Sequence, residues 1–264
     1  MDGLLITILI VIGFLVYKMI SSSRKQEGYK RWKATGSGDT ANEETAGNKW
    51  KHGAWLRHAL GVTTPKARTY PVFDEEAVVW CAGLLGVEAV RLKEILQDVS
   101  SHYREFWIRK RKGGYRMISA PDKELKSIQD TIYHRILLPV NVHPVATGFR
   151  RQHSIVDNVR PHLGKRCVLK TDIHDFFLSI RSPRVKQTFE NIGYPKNISK
   201  VLGELCCRRR HLPQGASTSP ALSNIIAYEM DRKLAAMAEE FGLTYTRYAD
   251  DLTFSGDVFP KEQV

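Results

Sequence analysis

Two adjacent acidic residues, Asp250 and Asp251, are the feature of this sequence best suited to chemistry. They lie between two runs of β-branched and aromatic residues, a pattern that predicts a tight β-hairpin with both acids at its tip. Two like charges side by side are costly to hold, and a hard cation such as Mg²⁺ removes that cost by binding carboxylate oxygens. An ordinary solvated Asp-Asp turn is the alternative. The pair alone leaves both interpretations open.

A third acid, Asp172, favours the metal-binding interpretation. It lies at the end of a buried strand predicted within 166–173 (RCVLKTDI). If this strand and the hairpin are neighbours in one sheet, three carboxylates converge and can hold two Mg²⁺ ions roughly 3.5 to 4 Å apart. One ion would then activate a 3′-hydroxyl and the other would stabilise a leaving pyrophosphate, which is in-line phosphoryl transfer. Lys110 and Arg116 would bind the incoming triphosphate.

The remaining pattern predicts the elements that must position these residues. Residues 103–121 alternate around Gly113-Gly114, which predicts a β-hairpin rich in Lys and Arg. These basic side chains could bind a negatively charged ligand, or they could simply keep an exposed sheet edge soluble. Helices are predicted from apolar periodicity, caps and Ser-Pro starts at 74–99, 122–138, 154–164, 182–193 and 219–242. Strands and helices together predict a mixed α/β (α+β) fold.

Composition indicates a partner that carries negative charge. The 264 residues include 40 Lys and Arg against 28 Asp and Glu, a formal charge of +12. An excess of this size favours nucleic acid before a membrane surface. Four cysteines show neither disulfide nor zinc spacing, so we interpret them as reduced and structural.

The N-terminal region predicts attachment to a lipid bilayer. Residues 4–20 are almost all apolar and are followed by basic residues, which is typical of a single-pass anchor with the remainder of the chain in the cytoplasm. A cleaved signal peptide or a buried helix are the alternatives. We therefore expect a transmembrane anchor at 1–23, a flexible basic and polar tether at 24–72, and a catalytic domain at 73–264.

Five motifs, in order along the chain, resemble those of reverse transcriptases. Tyr248-Ala249-Asp250-Asp251 is similar to the family's Y-A-D-D box. The other four stretches are 113–121 with 125–129, Gly148-Phe149 with Ser154-Ile155, 169–173 with Phe176-Phe177, and 212–220 (LPQGASTSP). The resemblance covers roughly residues 103–256 and implies a right-hand polymerase palm and fingers with an antiparallel palm sheet.

The resemblance also implies roles for individual residues. Asp172, Asp250 and Asp251 match the catalytic carboxylates, and with the backbone carbonyl of Ile173 they would hold two Mg²⁺ ions. Phe177 matches the steric gate that excludes a ribose 2′-hydroxyl and favours dNTPs. The other implied nucleotide-binding residues are Lys110, Arg116, Phe176, Gln214 and Gly215.

The activity implied is RNA-directed DNA synthesis from an RNA template, a DNA primer and dNTPs. Residues 158–162 (NVRPH) resemble the box of retron-type enzymes of anti-phage defence, which implies RNA binding by Asn158 and His162, although Val159 stands where alanine is usual. A group II intron-like or other defence reverse transcriptase is the nearest alternative. A membrane-bound nucleic-acid-binding subunit that no longer polymerises is a more distant one.

The sequence stops at Val264, before the region where the family carries its later palm motifs and thumb. The resemblance therefore predicts a chain that is C-terminally incomplete, naturally truncated or half of a split enzyme. In the last case a second chain would supply the thumb.

Overall fold

The computed structural model describes residues 72–110 and 113–258. Its strands are β1 (Tyr103–Arg109), β2 (Tyr115–Pro121), β3 (Cys167–Asp172), β4 (Thr244–Tyr248) and β5 (Asp251–Gly256). Its α-helices are α1 (Glu75–Leu85), α2 (Ala89–Gln97), α3 (Lys123–Ile132), α4 (Ile155–Val159), α5 (Phe176–Ser179), α6 (Ser182–Ile192), α7 (Lys196–Leu205) and α8 (Ser219–Glu240). Short 3₁₀ segments at Val99–His102 and Arg160–His162 and a π-turn at Tyr133–Leu137 complete the elements.

The strands form two antiparallel sheets. β1 and β2 pair along their full length around the Gly113-Gly114 turn, where both glycines have positive φ. β3, β5 and β4 form the second sheet in that order, so the strand from the middle of the chain pairs with the second strand of the C-terminal hairpin. This long-range pairing brings the ends of β3 and β5 together, as the sequence predicted.

Local capping interactions explain where several helices begin. The Asp74 and Asp122 carboxylates accept backbone N–H groups at the starts of α1 and α3, and Ser154 forms a capping box with Asp157 at α4. Pro220 lies in the first turn of α8. The cap signal at Ser154 and the Ser-Pro signal at 219–220 therefore predicted these two starts correctly, whereas α7, which begins directly after Pro195, was missed.

The hydrophobic core lies beneath the helices and one face of the second sheet. Leu125, Ile128 and Ile132 form the buried stripe of α3, and helix α7 buries Val201 and Leu202 fully. Helix α8 packs against β4. All four cysteines are free thiols and three are buried, in agreement with the structural role expected of them.

The predicted transmembrane helix, and the single-pass membrane location and bilayer contact that rested on it, require correction. No helix within 72–110 and 113–258 is long and apolar enough to cross a membrane. The longest, α8, has 22 residues and carries six charged side chains, all between residues 229 and 240, which hydrocarbon would not accommodate. The stretch 4–20 and the predicted tether lie outside the described residues. The described residues therefore form a mixed α/β fold.

Candidate active site

The three predicted acids meet at one edge of the β3–β5–β4 sheet. Asp172, the last residue of β3, is the register partner of Asp251, the first residue of β5. Asp250 occupies the two-residue turn between β4 and β5, because Tyr248 and Asp251 are paired across it. The Ile173 amide donates to the backbone oxygen of Asp250 at 2.9 Å. The structure thus brings together residues separated by nearly 80 positions in the chain.

The electrostatics of the cluster show an excess of negative charge. The pKa of the Asp172 carboxyl is raised, first by partial burial and then by repulsion from Asp250 and Asp251. Lys170 lies 3.1 Å from an Asp251 oxygen, but both side chains are solvent-exposed, so this ion pair offsets little of the repulsion. A cation at this edge would be attracted by all three carboxylates.

The donor set fits magnesium by its chemistry, since carboxylate and backbone oxygens are the ligands this ion prefers. In the orientations they adopt, no group of three or more His, Cys, Asp or Glu side chains within the described ranges could hold a metal ion. Asp172, Asp250 and Asp251 therefore bring negative charge and oxygen atoms to one sheet edge, and their binding of magnesium stays a prediction. The proposed contribution of the Ile173 carbonyl stays a prediction.

Two phenylalanines follow the cluster and differ in exposure. Phe177 is half-buried, and its ring centroid lies 5.9 Å from that of Phe149 and 5.6 Å from that of Phe176. Phe176 is buried in the core, with the Arg247 guanidinium 5.7 Å from its ring centroid. A nucleotide contact by Phe176 is therefore not supported by its position. The gate role of Phe177 stays a prediction.

The predicted nucleotide-binding loop contacts the first hairpin. The backbone oxygen of Gln214 accepts a hydrogen bond from the Ser119 amide of β2 at 2.8 Å. Gly215 has φ 125°, and a Cβ there would lie 2.9 Å from the backbone oxygen of Ser119, so only glycine fits this contact without strain. Lys110 and Arg116 lie further along the same hairpin, near its turn, and are exposed.

The residues predicted to bind RNA, Asn158 and His162, point inward. The Asn158 side-chain oxygen accepts from the Thr147 hydroxyl at 2.9 Å. The two His162 ring nitrogens lie 2.6 Å from the Ser255 hydroxyl and 2.7 Å from the Thr246 hydroxyl, so this imidazole joins β5 to β4. Because both side chains are buried, direct RNA contact by either is not supported by its position.

The pH dependence of stability tests this inward role. Burial lowers the pKa of His162 below its ordinary value of 6.5. In the unfolded chain the imidazole binds a proton below about pH 6.5, whereas in the folded chain it resists protonation to lower pH. The free energy of unfolding should therefore fall as the pH decreases below about 6.5. Denaturant unfolding at about pH 7.5 and about pH 5.5 should show this fall in the parent and a smaller one in His162→Gln. An equal fall in both proteins would contradict the assignment.

Three residues that support the acidic turn were not predicted from the sequence. Arg247, on β4 just before the Y-A-D-D box, is fully buried and forms an ion pair with the equally buried Asp231 of α8. Asn224, also on α8, contacts both Arg247 and Gly148. An arginine within a buried strand requires an acidic partner on a neighbouring element. This rule could have identified Arg247 and directed the search to an acid such as Asp231.

Comparison with known proteins identifies a single family. The family described as reverse transcriptase (RNA-dependent DNA polymerase) matches residues 108–261. The match includes all three acids, the loop at Gln214 and most of the first hairpin.

Three curated relatives are similar over most of this chain. Retron Ec86 reverse transcriptase of Escherichia coli is 37% identical over 67% of this chain and 55% of its own length. Retron Mx65 reverse transcriptase of Myxococcus xanthus is 40% identical over 59% of this chain and 41% of its own length. Retron Mx162 reverse transcriptase of the same organism is 32% identical over 88% of this chain and 52% of its own length. The chain spans about half the length of these relatives.

Proposed function

This chain belongs to the reverse transcriptase family as a retron-type member, and we propose that it adds deoxynucleotides to a DNA primer under the direction of an RNA template. The observation that carries the proposal is the convergence of three acids, with Asp172 paired directly opposite Asp251 and Asp250 beside them in the turn. Three like charges at one sheet edge make a poor structural element and a good divalent-metal site. Magnesium held there would supply positive charge that favours loss of the primer hydroxyl proton and stabilises the leaving pyrophosphate.

The chain's own side chains would select and orient the nucleotide. Phe177 lies within the same short segment as Asp172, and its half-buried ring would exclude a 2′-hydroxyl. Lys110 and Arg116 are exposed cations suited to donate to the triphosphate. Gln214 and Gly215 would border the base, since their loop is fixed to the hairpin that carries these two cations.

Single-nucleotide addition tests this proposal without requiring processive synthesis. A labelled DNA primer annealed to an RNA template of known sequence is incubated with the chain, Mg²⁺ and one dNTP at a time. We expect extension with the complementary dNTP and none with the other three. Binding of the primer–template without extension by any dNTP would instead favour a nucleic-acid-binding subunit and contradict the proposal.

Substitution of the gate should change the choice of sugar. Phe177→Ala opens space beside the 2′ position, so the ratio of ribonucleotide to deoxynucleotide incorporation should rise by about 10-fold or more, the effect of removing a steric clash worth 1–3 kcal/mol. The measurement compares kcat/KM for the matching rNTP and dNTP. Leu178→Ala, which truncates the exposed neighbour on the same helix, is the matched control. An unchanged ratio in Phe177→Ala would show that another side chain is the gate.

A further inference from the structure

A buried ion pair lies directly behind the acidic turn. The Arg247 Nε donates to one Asp231 oxygen at 2.8 Å and Nη2 donates to the other at 2.6 Å. Both side chains are 0% exposed. The Tyr245 hydroxyl donates to the same carboxylate at 3.0 Å, so the charges are well satisfied inside the protein.

The remaining Arg247 nitrogen connects this pair to the turn. Nη1 donates to the backbone oxygen of Ala249 at 2.8 Å and to the Asn224 side-chain oxygen at 3.1 Å. The Asn224 amide in turn donates to the backbone oxygen of Gly148 at 2.9 Å. The turn residue Ala249 has φ 59°, a left-handed conformation that alanine adopts only when its surroundings impose it.

Stability alone does not account for this arrangement. Burial of two charges removes them from water, and a buried ion pair can often be replaced by apolar side chains with little loss of stability. What apolar side chains cannot supply is a rigid donor to the Ala249 oxygen. The guanidinium is planar and presents its donors in a fixed fork, so its two bonds to Asp231 fix the direction of the third bond to the turn.

We propose that Arg247, Asp231 and Asn224 are positioning residues that hold the Ala249-Asp250 turn in its strained conformation and so place the two acids for reaction. The assignment to catalysis rests on the function proposed above. All three side chains are buried, so they would act through the backbone of the turn and not by direct contact with substrate. Their loss should lower the rate of the chemical step more than it changes nucleotide affinity.

Removing the Asp231 and Arg247 charges together separates an effect on the position of the turn from an effect on stability. The variant Asp231→Leu/Tyr245→Phe/Arg247→Met deletes the ion pair and the hydroxyl that would otherwise lose its acceptor. We expect a melting temperature within a few degrees of the parent. We also expect kcat for single-nucleotide addition to fall on the order of 100-fold, with KM for the dNTP changed by less than about threefold. If kcat is retained along with the melting temperature, the ion pair serves stability only and the proposal is overturned.

A second variant keeps the proposal testable if the triple variant does not fold. Arg247→Lys retains the charge but cannot bind Asp231 with two donors and Ala249 at once. It should fold and still lose about tenfold in kcat. Parental kcat in Arg247→Lys would overturn the proposal. The control is Glu229→Gln/Arg232→Gln, which removes an exposed ion pair from α8, the helix that carries Asp231. Its kcat should match that of the parent.

Amide exchange provides a measurement that does not depend on polymerisation. The Ile173 amide donates to the Asp250 backbone oxygen, so its protection from hydrogen–deuterium exchange reports the position of the turn. Exchange at Ile173 should accelerate at least tenfold in Arg247→Lys and remain parental in the control. Unchanged protection would overturn the positioning role. If the parent adds no nucleotide but exchange is still accelerated in the variant, the proposed function is wrong. The structural link between Arg247 and the turn would then still hold.

Discussion

Asp250→Asn should reduce single-nucleotide addition by about 10²–10³-fold, the loss found when one preorganised electrostatic group is removed from an active site. Asparagine has the shape of aspartate, so the turn and its hydrogen bond to Ile173 can remain. The substitution removes one negative charge from a cluster whose members repel each other, and stability should therefore be equal or slightly higher. Initial rates of addition and the melting temperature measure the two effects together.

The matched control is Asp257→Asn, which removes an exposed carboxylate just after the far end of the same strand, β5. It should leave the rate within about twofold of the parent, as surface substitutions usually do. If Asp250→Asn also stays within a few-fold of the parent, the acid is not required for the reaction, and the metal-binding role assigned to the turn is wrong.

Gly148→Ala should have the second largest effect, although residue 148 bears no functional group. A Cβ at this position would lie 2.6 Å from the Ala249 backbone nitrogen and 3.1 Å from the Tyr248 carbonyl carbon. Both are backbone atoms of the peptide bond that joins β4 to the turn, so neither can move aside without displacement of Asp250. We expect stability to fall by about 1–3 kcal/mol from overpacking and the rate of addition to fall by about 100-fold from misplacement of the acid.

Gly83→Ala controls for the addition of a methyl group. Gly83 lies within α1, and a Cβ there meets no atom within 4 Å, so alanine should be neutral or slightly stabilising through its higher helix propensity. Unfolding curves and rates for the two variants, collected side by side, separate the local clash from the general effect of the substitution. Parental activity in Gly148→Ala would mean that the turn tolerates movement.

Much of the site could be predicted because its signals are local. Alternating residues around Gly113-Gly114 and around Asp250-Asp251 specify hairpins, since side chains in a strand alternate between two faces. Ser154 with Asp157 specifies a helix start through two reciprocal hydrogen bonds. The convergence of Asp172 with the turn followed from a single assumption, that the two strands are neighbours, and the register confirms it.

The burial of Phe176, Asn158 and His162 could not be predicted, because it depends on which face of an element is covered and a motif does not contain that information. Phe176 and Phe177 are adjacent and chemically identical, yet only Phe176 is buried in the core, because the short helix α5 turns it inward. Asn158 and His162 are polar, and polarity suggests exposure. Here they satisfy hydroxyls of the sheet and of its neighbouring segment.

The Arg247–Asp231 pair shows why long-range partners escape local patterns. Asp231 lies among the polar and apolar residues of α8 and resembles any acid in an amphipathic helix. Its role emerges only when α8 packs on β4 and both side chains are removed from water. The predicted membrane anchor failed for a different reason. It rested on the apolar stretch 4–20 and the basic residues that follow it, which lie outside the described residues, and no helix in the described ranges is long and apolar enough to cross a membrane.

Iron-directed cleavage of the chain tests the central claim most directly, which is that Asp172, Asp250 and Asp251 together bind a divalent cation. Fe²⁺ replaces Mg²⁺ at oxygen-rich sites, and with ascorbate and peroxide it generates hydroxyl radicals that cut the backbone beside the bound ion. We predict cuts near residue 172 and near residues 250–251, with both suppressed by excess Mg²⁺ and absent in Asp250→Asn. A shared metal site at this edge of the sheet would be contradicted if the chain were cut only at other positions. It would also be contradicted if the cuts at these positions were unaffected by both Mg²⁺ and Asp250→Asn.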